Sequence, residues 1–250
     1  MNVFIHIPKT AGTFLGYLFD HGSGRRVFWD YSADYSTAIV PDPDVVAHTD
    51  FISRRFWVMH GHFFYTKYAD VFPQARFMTC VRHPVHRIIS QFKHEIYDAV
   101  CRQHAGHPEL DNPRARALLA GCGLIEWLAM DPSVGNAQVN HLAGRRLEDY
   151  DFLFVQEMLG PCWSLFCTEF SLKTWQWLFG SFCAVNTAED RAFHSESERY
   201  LYETLTAITQ QDREKLFLLI PEEIALYEEA KSLVTQRLRQ AATSLQAQEV

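Results

Sequence analysis

Residues 4–15, Phe-Ile-His-Ile-Pro-Lys-Thr-Ala-Gly-Thr-Phe-Leu, constrain the fold more than any other stretch of the chain. An apolar run from Val3 to Ile7 stops at Pro8. Lys9, Thr10, Ala11, Gly12 and Thr13 follow, and then an apolar helical pattern begins. The order reads as a strand, a tight turn and a helix N-terminus. Such a turn aims unpaired backbone N–H groups, the positive end of a helix and one Lys at a single point. A phosphate or a similar oxyanion suits that point. The loop is not a Walker A sequence, because G-x-x-x-x-G-K-[ST] is absent and Lys9 precedes the glycine.

A second segment, residues 76–92, reads Arg-Phe-Met-Thr-Cys-Val-Arg-His-Pro-Val-His-Arg-Ile-Ile-Ser-Gln-Phe. Phe77 to Val81 forms a short buried strand with Arg82 at its end. Pro84 suits a first helical turn, and Ser90 lies about two turns further on. The guanidinium offers a planar fork for phosphate and the hydroxyl adds a donor, which makes a second anion site. Two such sites on adjacent strands suit a ligand with two separated anionic groups.

The pair Ile-Pro-Lys-Thr-Ala-Gly-Thr and Val-Arg-His-Pro-Val-His-Arg-Ile-Ile-Ser resembles the sulfotransferases that use 3′-phosphoadenosine 5′-phosphosulfate (PAPS). The likeness is nearest to the carbohydrate O-sulfotransferases of the heparan sulfate 2-O and 6-O type and their bacterial relatives. That resemblance implies that Lys9, Thr10, Ala11, Gly12, Thr13 and Phe14 grip the 5′-phosphosulfate, and that Arg82 and Ser90 grip the 3′-phosphate. The family usually has Arg-Asp-Pro or Arg-Glu-Pro where this chain has Arg82-His83-Pro84. Trp57-Val58-Met59-His60-Gly61-His62-Phe63 resembles the family strand that ends in a catalytic histidine, with His62 in the place of the base. Asn136 to Gly144 resembles a helix whose Asn136 and Gln138 approach the donor or the acceptor. Tyr150 to Glu157 resembles the next core strand, Val185-Asn186-Thr187 a late loop over the nucleotide, and Asp212 and Tyr227 to Ala230 the C-terminal helices. The implied donor is PAPS with PAP as product, without a metal. The implied acceptor is a glycan or glycoconjugate hydroxyl.

A chain of 250 residues with 48% apolar and 21% charged residues fits one large globular domain. The net charge of −7 argues against a nucleic-acid partner but permits a local cluster such as Lys9, Arg82 and Arg87. It also argues for a neutral or lightly charged glycan over a highly sulfated polymer. Met1 and Asn2 lead straight into the first strand without a leader pattern, and no run is long and apolar enough for a transmembrane segment. The expectation is a cytoplasmic, bacterial-type enzyme. Cys80, Cys101, Cys122, Cys162, Cys167 and Cys183 form no C-x-x-C pair and read as reduced, packed thiols.

Candidate strands 3–7, 56–60, 76–81 and 151–155 alternate with helical patterns at 12–20, 84–102, 113–129 and 132–143. The alternation predicts an α/β fold, a three-layer P-loop-like architecture with a central, mainly parallel sheet. Residues 160–250 turn helical and add extra C-terminal helices. The expected organisation is a single domain, 1–250, with a loop-rich insertion over 21–50 and a second loop over 103–114.

Moving a sulfuryl group from a phosphate oxygen to a hydroxyl needs in-line positioning, removal of the acceptor proton and neutralisation of the leaving phosphate. Lys9 and the loop N–H groups suit the phosphate, and His62, as a neutral imidazole, suits the proton. His60 and His62 alternate along a strand and share a side. His60 either orients its neighbour or meets the acceptor. The same spacing permits a metal pair, for which no third ligand is evident. His6 reads as a core or sheet residue and Arg87 as a brace. Two rival readings keep the fold and change the function. A P-loop kinase or nucleotide hydrolase predicts Mg²⁺ dependence and a Walker A loop. A non-catalytic nucleotide-binding protein predicts PAP binding without turnover.

Overall fold

A computed structural model describes residues 1–31, 38–104, 112–172, 175–182, 193 and 195–246. Five short strands, β1 (Asn2–Ile5), β2 (Val27–Asp30), β3 (Val58–Gly61), β4 (Arg76–Val81) and β5 (Phe152–Val155), form one sheet in the order β2-β3-β1-β4-β5. Every pairing is parallel. Parallel strands covered on both faces read as unbroken apolar runs, which is why β1, β3, β4 and β5 stand out in the sequence. β2 does not. It is a four-residue edge strand with uneven burial, and it lies inside the stretch 21–50 that reads as a loop-rich insertion. The same stretch holds α2 (Pro43–Ala47) and begins α3 (Thr49–Arg55).

The chain divides into two compact units. The first comprises 1–82, 137–185 and 225–250 and contains the whole sheet. Register sets its two faces. Phe4 pairs with His60 on β3 and with Met78 on β4, so these side chains share one face. Met78 and Cys80 pair in turn with Phe152 and Phe154. On that face α1 (Gly12–Gly22) and α9 (Leu159–Glu169) bring Phe19, Trp163 and Phe166, with ring centres 5.2 Å (Phe4–Phe19), 5.8 Å (Phe19–Phe166) and 5.3 Å (Phe154–Phe166) apart. Each such burial contributes roughly 1.5–3 kcal/mol. Opposite them, α4 (Tyr65–Tyr68) sets Tyr65 against Phe77, ring centres 5.0 Å apart.

The second unit comprises 83–136 and 186–224. α5 (Pro84–His104), α6 (Pro113–Leu119) and α7 (Leu124–Met130) enclose a separate apolar cluster that includes Ile88, Phe92, Ile96 and Trp127. The helical pattern over 113–129 is two helices rather than one. Gly121 turns the chain at φ 90°, and the N–H of Gly123 donates to the Glu126 carboxylate at 3.3 Å to start the next helix. Asn112 caps α6 by accepting from the N–H of Arg114 at 2.9 Å. Arg87 is the brace its pattern suggests: it is buried, donates to the carbonyls of Val134 and Gly135, and faces the buried Glu223 carboxylate at 3.9 Å.

Residues 132–143 hold a short 3₁₀ turn and α8 (Ala137–Leu142). Among the described residues, the C-terminal part is helical, with α10 (Gln176–Phe182), α11 (Glu196–Leu205), α12 (Gln210–Leu219) and α13 (Pro221–Gln246). Cys80, Cys122, Cys162 and Cys167 are free thiols; Cys183 lies outside the described residues. No helix among the described residues is long and apolar enough to cross a membrane.

Candidate active site

The site is built at the carboxyl ends of β3, β1 and β4, three adjacent strands of the first unit. After β1 the chain first runs outward to β2 and β3, and only later returns to β4 on the other side. Such a switch of direction is the usual location of ligands in open parallel sheets.

β1 is prolonged by the His6 N–H, which donates to Gly61 O at 2.8 Å. Beyond Pro8 the backbone takes two left-handed residues, Lys9 at φ 68° and Ala11 at φ 63°. Neither is glycine, so each costs about 1–2 kcal/mol. Two contacts hold the turn. The Thr10 hydroxyl donates to Ile7 O at 2.8 Å, and the Arg82 guanidinium donates to Lys9 O at 3.1 Å. Lys9 and Ala11 flank a residue of ordinary φ, the alternation that curls successive N–H groups into a concave nest. α1 then starts without a side-chain cap on Ala11 and without an acidic residue in its first turn. The positive end of the helix therefore faces the loop with the N–H groups of Gly12, Thr13 and Phe14.

Arg82 leaves β4 half-buried. Its own N–H donates to the Gln138 side-chain oxygen at 2.8 Å, so α8 fixes the strand end through a fully buried glutamine. Burial lowers the Arg82 pKa, while the Glu157 carboxylate opposes that shift. Glu157 follows β5 and accepts from the Tyr227 hydroxyl of α13 at 3.3 Å.

β3 delivers the histidines. His60 is fully buried, stacked on Phe4 with ring centres 5.0 Å apart, and both of its nitrogens are engaged. Nε2 lies 3.0 Å from Gly12 O and Nδ1 lies 3.2 Å from the Tyr31 hydroxyl. Burial pushes its pKa down to about 3. His62 differs. It is half-buried, its Nε2 has no hydrogen-bond partner among the described residues, and burial together with the nearby Lys9 charge lowers its pKa to about 4. His62 is therefore neutral at pH 7, with an unoccupied ring nitrogen beside a cation.

Lys9, Thr10, Ala11, Gly12, Thr13, Phe14, His60, His62, Arg82 and Gln138 thus all lie in the first unit, on the loop, on α1, or at the ends of β3 and β4 and on α8. Ser90, half-buried on α5, and Asn136 belong to the second unit. Val185, Asn186 and Thr187 lie outside the described residues. Sequence reasoning missed His6 and Tyr31, which join the histidine cluster through a 3.0 Å contact between His6 Nδ1 and the Tyr31 hydroxyl. The only signal was His6 itself, a polar residue in an apolar run. Tyr31 follows the strand that went unread. Among the described residues no group of three or more His, Cys, Asp or Glu is placed to hold a metal.

A five-stranded parallel sheet flanked by helices makes this an α/β fold of the P-loop-like kind. The sequence model of the sulfotransferase family matches residues 3–123, just under half of the chain, and over that stretch the chain is similar to that family. Among curated proteins, none gives a significant match.

Proposed function

We propose that the chain transfers a sulfuryl group from PAPS to a hydroxyl of a glycan or glycoconjugate, with His62 as the base. The observation that carries this reading is the unpartnered Nε2 of a neutral His62, beside Lys9 and at the same sheet edge as the uncapped start of α1. The fit to the donor rests on the same loop: its nest and helix end supply N–H groups for sulfate and phosphate oxygens, and Lys9 supplies a positive charge. PAPS, when bound, supplies the sulfuryl group and leaves as PAP.

The chain's own contribution divides among three positions. The N–H groups of Thr10 to Phe14 hold the phosphosulfate, and Lys9 neutralises charge that collects on the leaving phosphate. Arg82 presents the remaining donors of its fork to the 3′-phosphate; one N–H is already committed to Lys9 O. His62 Nε2 takes the acceptor proton. A pKa near 4 makes it a weak base but keeps it deprotonated throughout the neutral range. His60 has no nitrogen left for this task and serves as a brace between the loop and β3.

Calorimetry with PAP and with ATP, each with and without Mg²⁺, tests the donor. PAP should bind without the metal and in preference to ATP; Mg²⁺-dependent ATP binding in place of PAP would refute the reading. His62→Ala should lose about 10²–10⁴-fold in turnover and keep its PAP affinity. A fully active His62→Ala enzyme removes the base assignment.

A further inference from the structure

Four groups of the first unit form a chain of hydrogen bonds whose polarity is set at one end. Gly12 O can only accept, so His60 Nε2, 3.0 Å away, carries the proton. His60 is fully buried and neutral, so its Nδ1 is bare and accepts from the Tyr31 hydroxyl at 3.2 Å. Burial raises the Tyr31 pKa to about 12, so that hydroxyl keeps its single proton. With the proton directed at His60, the Tyr31 oxygen must accept from His6 Nδ1, 3.0 Å away. His6 is therefore the Nδ1–H tautomer, the one that a free neutral imidazole disfavours, and its Nε2 is bare.

The His6 ring sits where this matters. It packs against Gly12 so closely that a Cβ on that residue would overlap it. It also packs against the His62 ring, with centres 4.4 Å apart. A proton on His6 Nε2 would reverse the polarity of the ring edge packed against Gly12, the first residue of α1, and change the dipole beside the His62 ring.

We propose that Tyr31 and His6 are positioning residues for sulfuryl transfer: through the Tyr31 hydroxyl, the Gly12 carbonyl sets the tautomers of His60 and His6, which ties the loop to β3 and fixes the polarity of the ring packed against Gly12 and His62. The catalytic part rests on the sulfuryl-transfer reading; the tautomer chain does not. Tyr31 closes the network from the solvent side, its ring centre 4.7 Å from that of His62 and its own surface 44% exposed. Tyr31→Phe therefore removes the hydroxyl without opening the core.

The test combines long-range ¹H–¹⁵N imidazole spectra, PAP calorimetry and turnover on the full chain, with His6→Gln used to assign the His6 signals. The wild type should show His6 protonated on Nδ1 and His60 on Nε2. Tyr31→Phe should return His6 to the Nε2–H form and lower kcat by about tenfold, with the PAP Kd changed less than threefold. A wild-type His6 protonated on Nε2 overturns the proposal, as does a Tyr31→Phe enzyme with unchanged kcat. If the tautomers are as stated but the wild type binds no PAP, the sulfuryl-transfer reading fails, and the positioning role falls with it.

Discussion

Gly12 is where one methyl group decides whether the loop closes. An alanine there gains up to about 1 kcal/mol of helix propensity. Its Cβ would also overlap the His6 ring, which Tyr31 and the neighbouring histidines hold in place. Overpacking of a buried ring costs about 1–3 kcal/mol, so the clash outweighs the propensity. Gly12→Ala should lower the urea midpoint and weaken PAP binding together; an unchanged midpoint contradicts the packing argument. The buried histidines also set an acid limit. His60 titrates near 3 in the native protein and near 6.5 in the unfolded chain. Between those values only the unfolded chain takes up the proton. This contribution is fully present above pH 6.5 and is lost as pH falls toward 3, by about 2 kcal/mol at pH 5. His6 shifts in the same direction, through burial first and then its histidine neighbours. Urea unfolding at pH 7.5 and pH 5 should show the loss, and His60→Gln should reduce the difference between the two pH values.

Among the elements, α5 carries the strongest internal commitment. Arg87 and Glu223 are both buried, and the carbonyls of Val134 and Gly135 share the same guanidinium. Arg87→Met keeps the apolar volume and leaves Glu223 without that charge, which should destabilise by about 3–5 kcal/mol. Arg87→Met with Glu223→Gln should recover much of it; a single variant as stable as wild type would show the pair to be dispensable. What the sequence reveals of such elements depends on where their partners lie. The turn from Pro8 to Gly12 is legible because its residues are consecutive, and the buried strands because they are apolar runs. β2 is too short and too unevenly buried to register. The His6–Tyr31–His60 chain is invisible for a different reason: its members end three different strands, and no spacing along the chain encodes which strands become neighbours. Ile7 to Leu15 reads as a candidate anion site from consecutive residues, whereas Tyr31, whose hydroxyl contacts both His6 and His60, is found only from the sheet order.

On the scale of the whole molecule, the family match and the folded sheet do not share a boundary. The match ends at residue 123. Yet β4, which leads into Arg82, pairs over residues 78–81 with β5, where Phe152 and Phe154 continue the face made by Phe4 and Met78. Phe166 of α9 and Tyr227, Ala230 and Val234 of α13 belong to the same core. A chain cut after residue 123 would keep the anion loop and both site histidines. It would also bare the β4 edge, an aromatic sheet face and, in the second unit, the cluster that Leu216 and Ile220 help to fill. An unpaired edge beside exposed apolar surface templates association. The fragment 1–123 should therefore elute as aggregate, bind a hydrophobic dye and lack a cooperative melt, whereas the full chain should melt cooperatively. A monomeric, cooperatively melting fragment would mean that β5 and the C-terminal helices are additions to a self-sufficient core rather than part of it. Loss of PAP binding in the fragment would not by itself distinguish these cases, since Gln138, which holds the N–H of Arg82, is removed by the same cut.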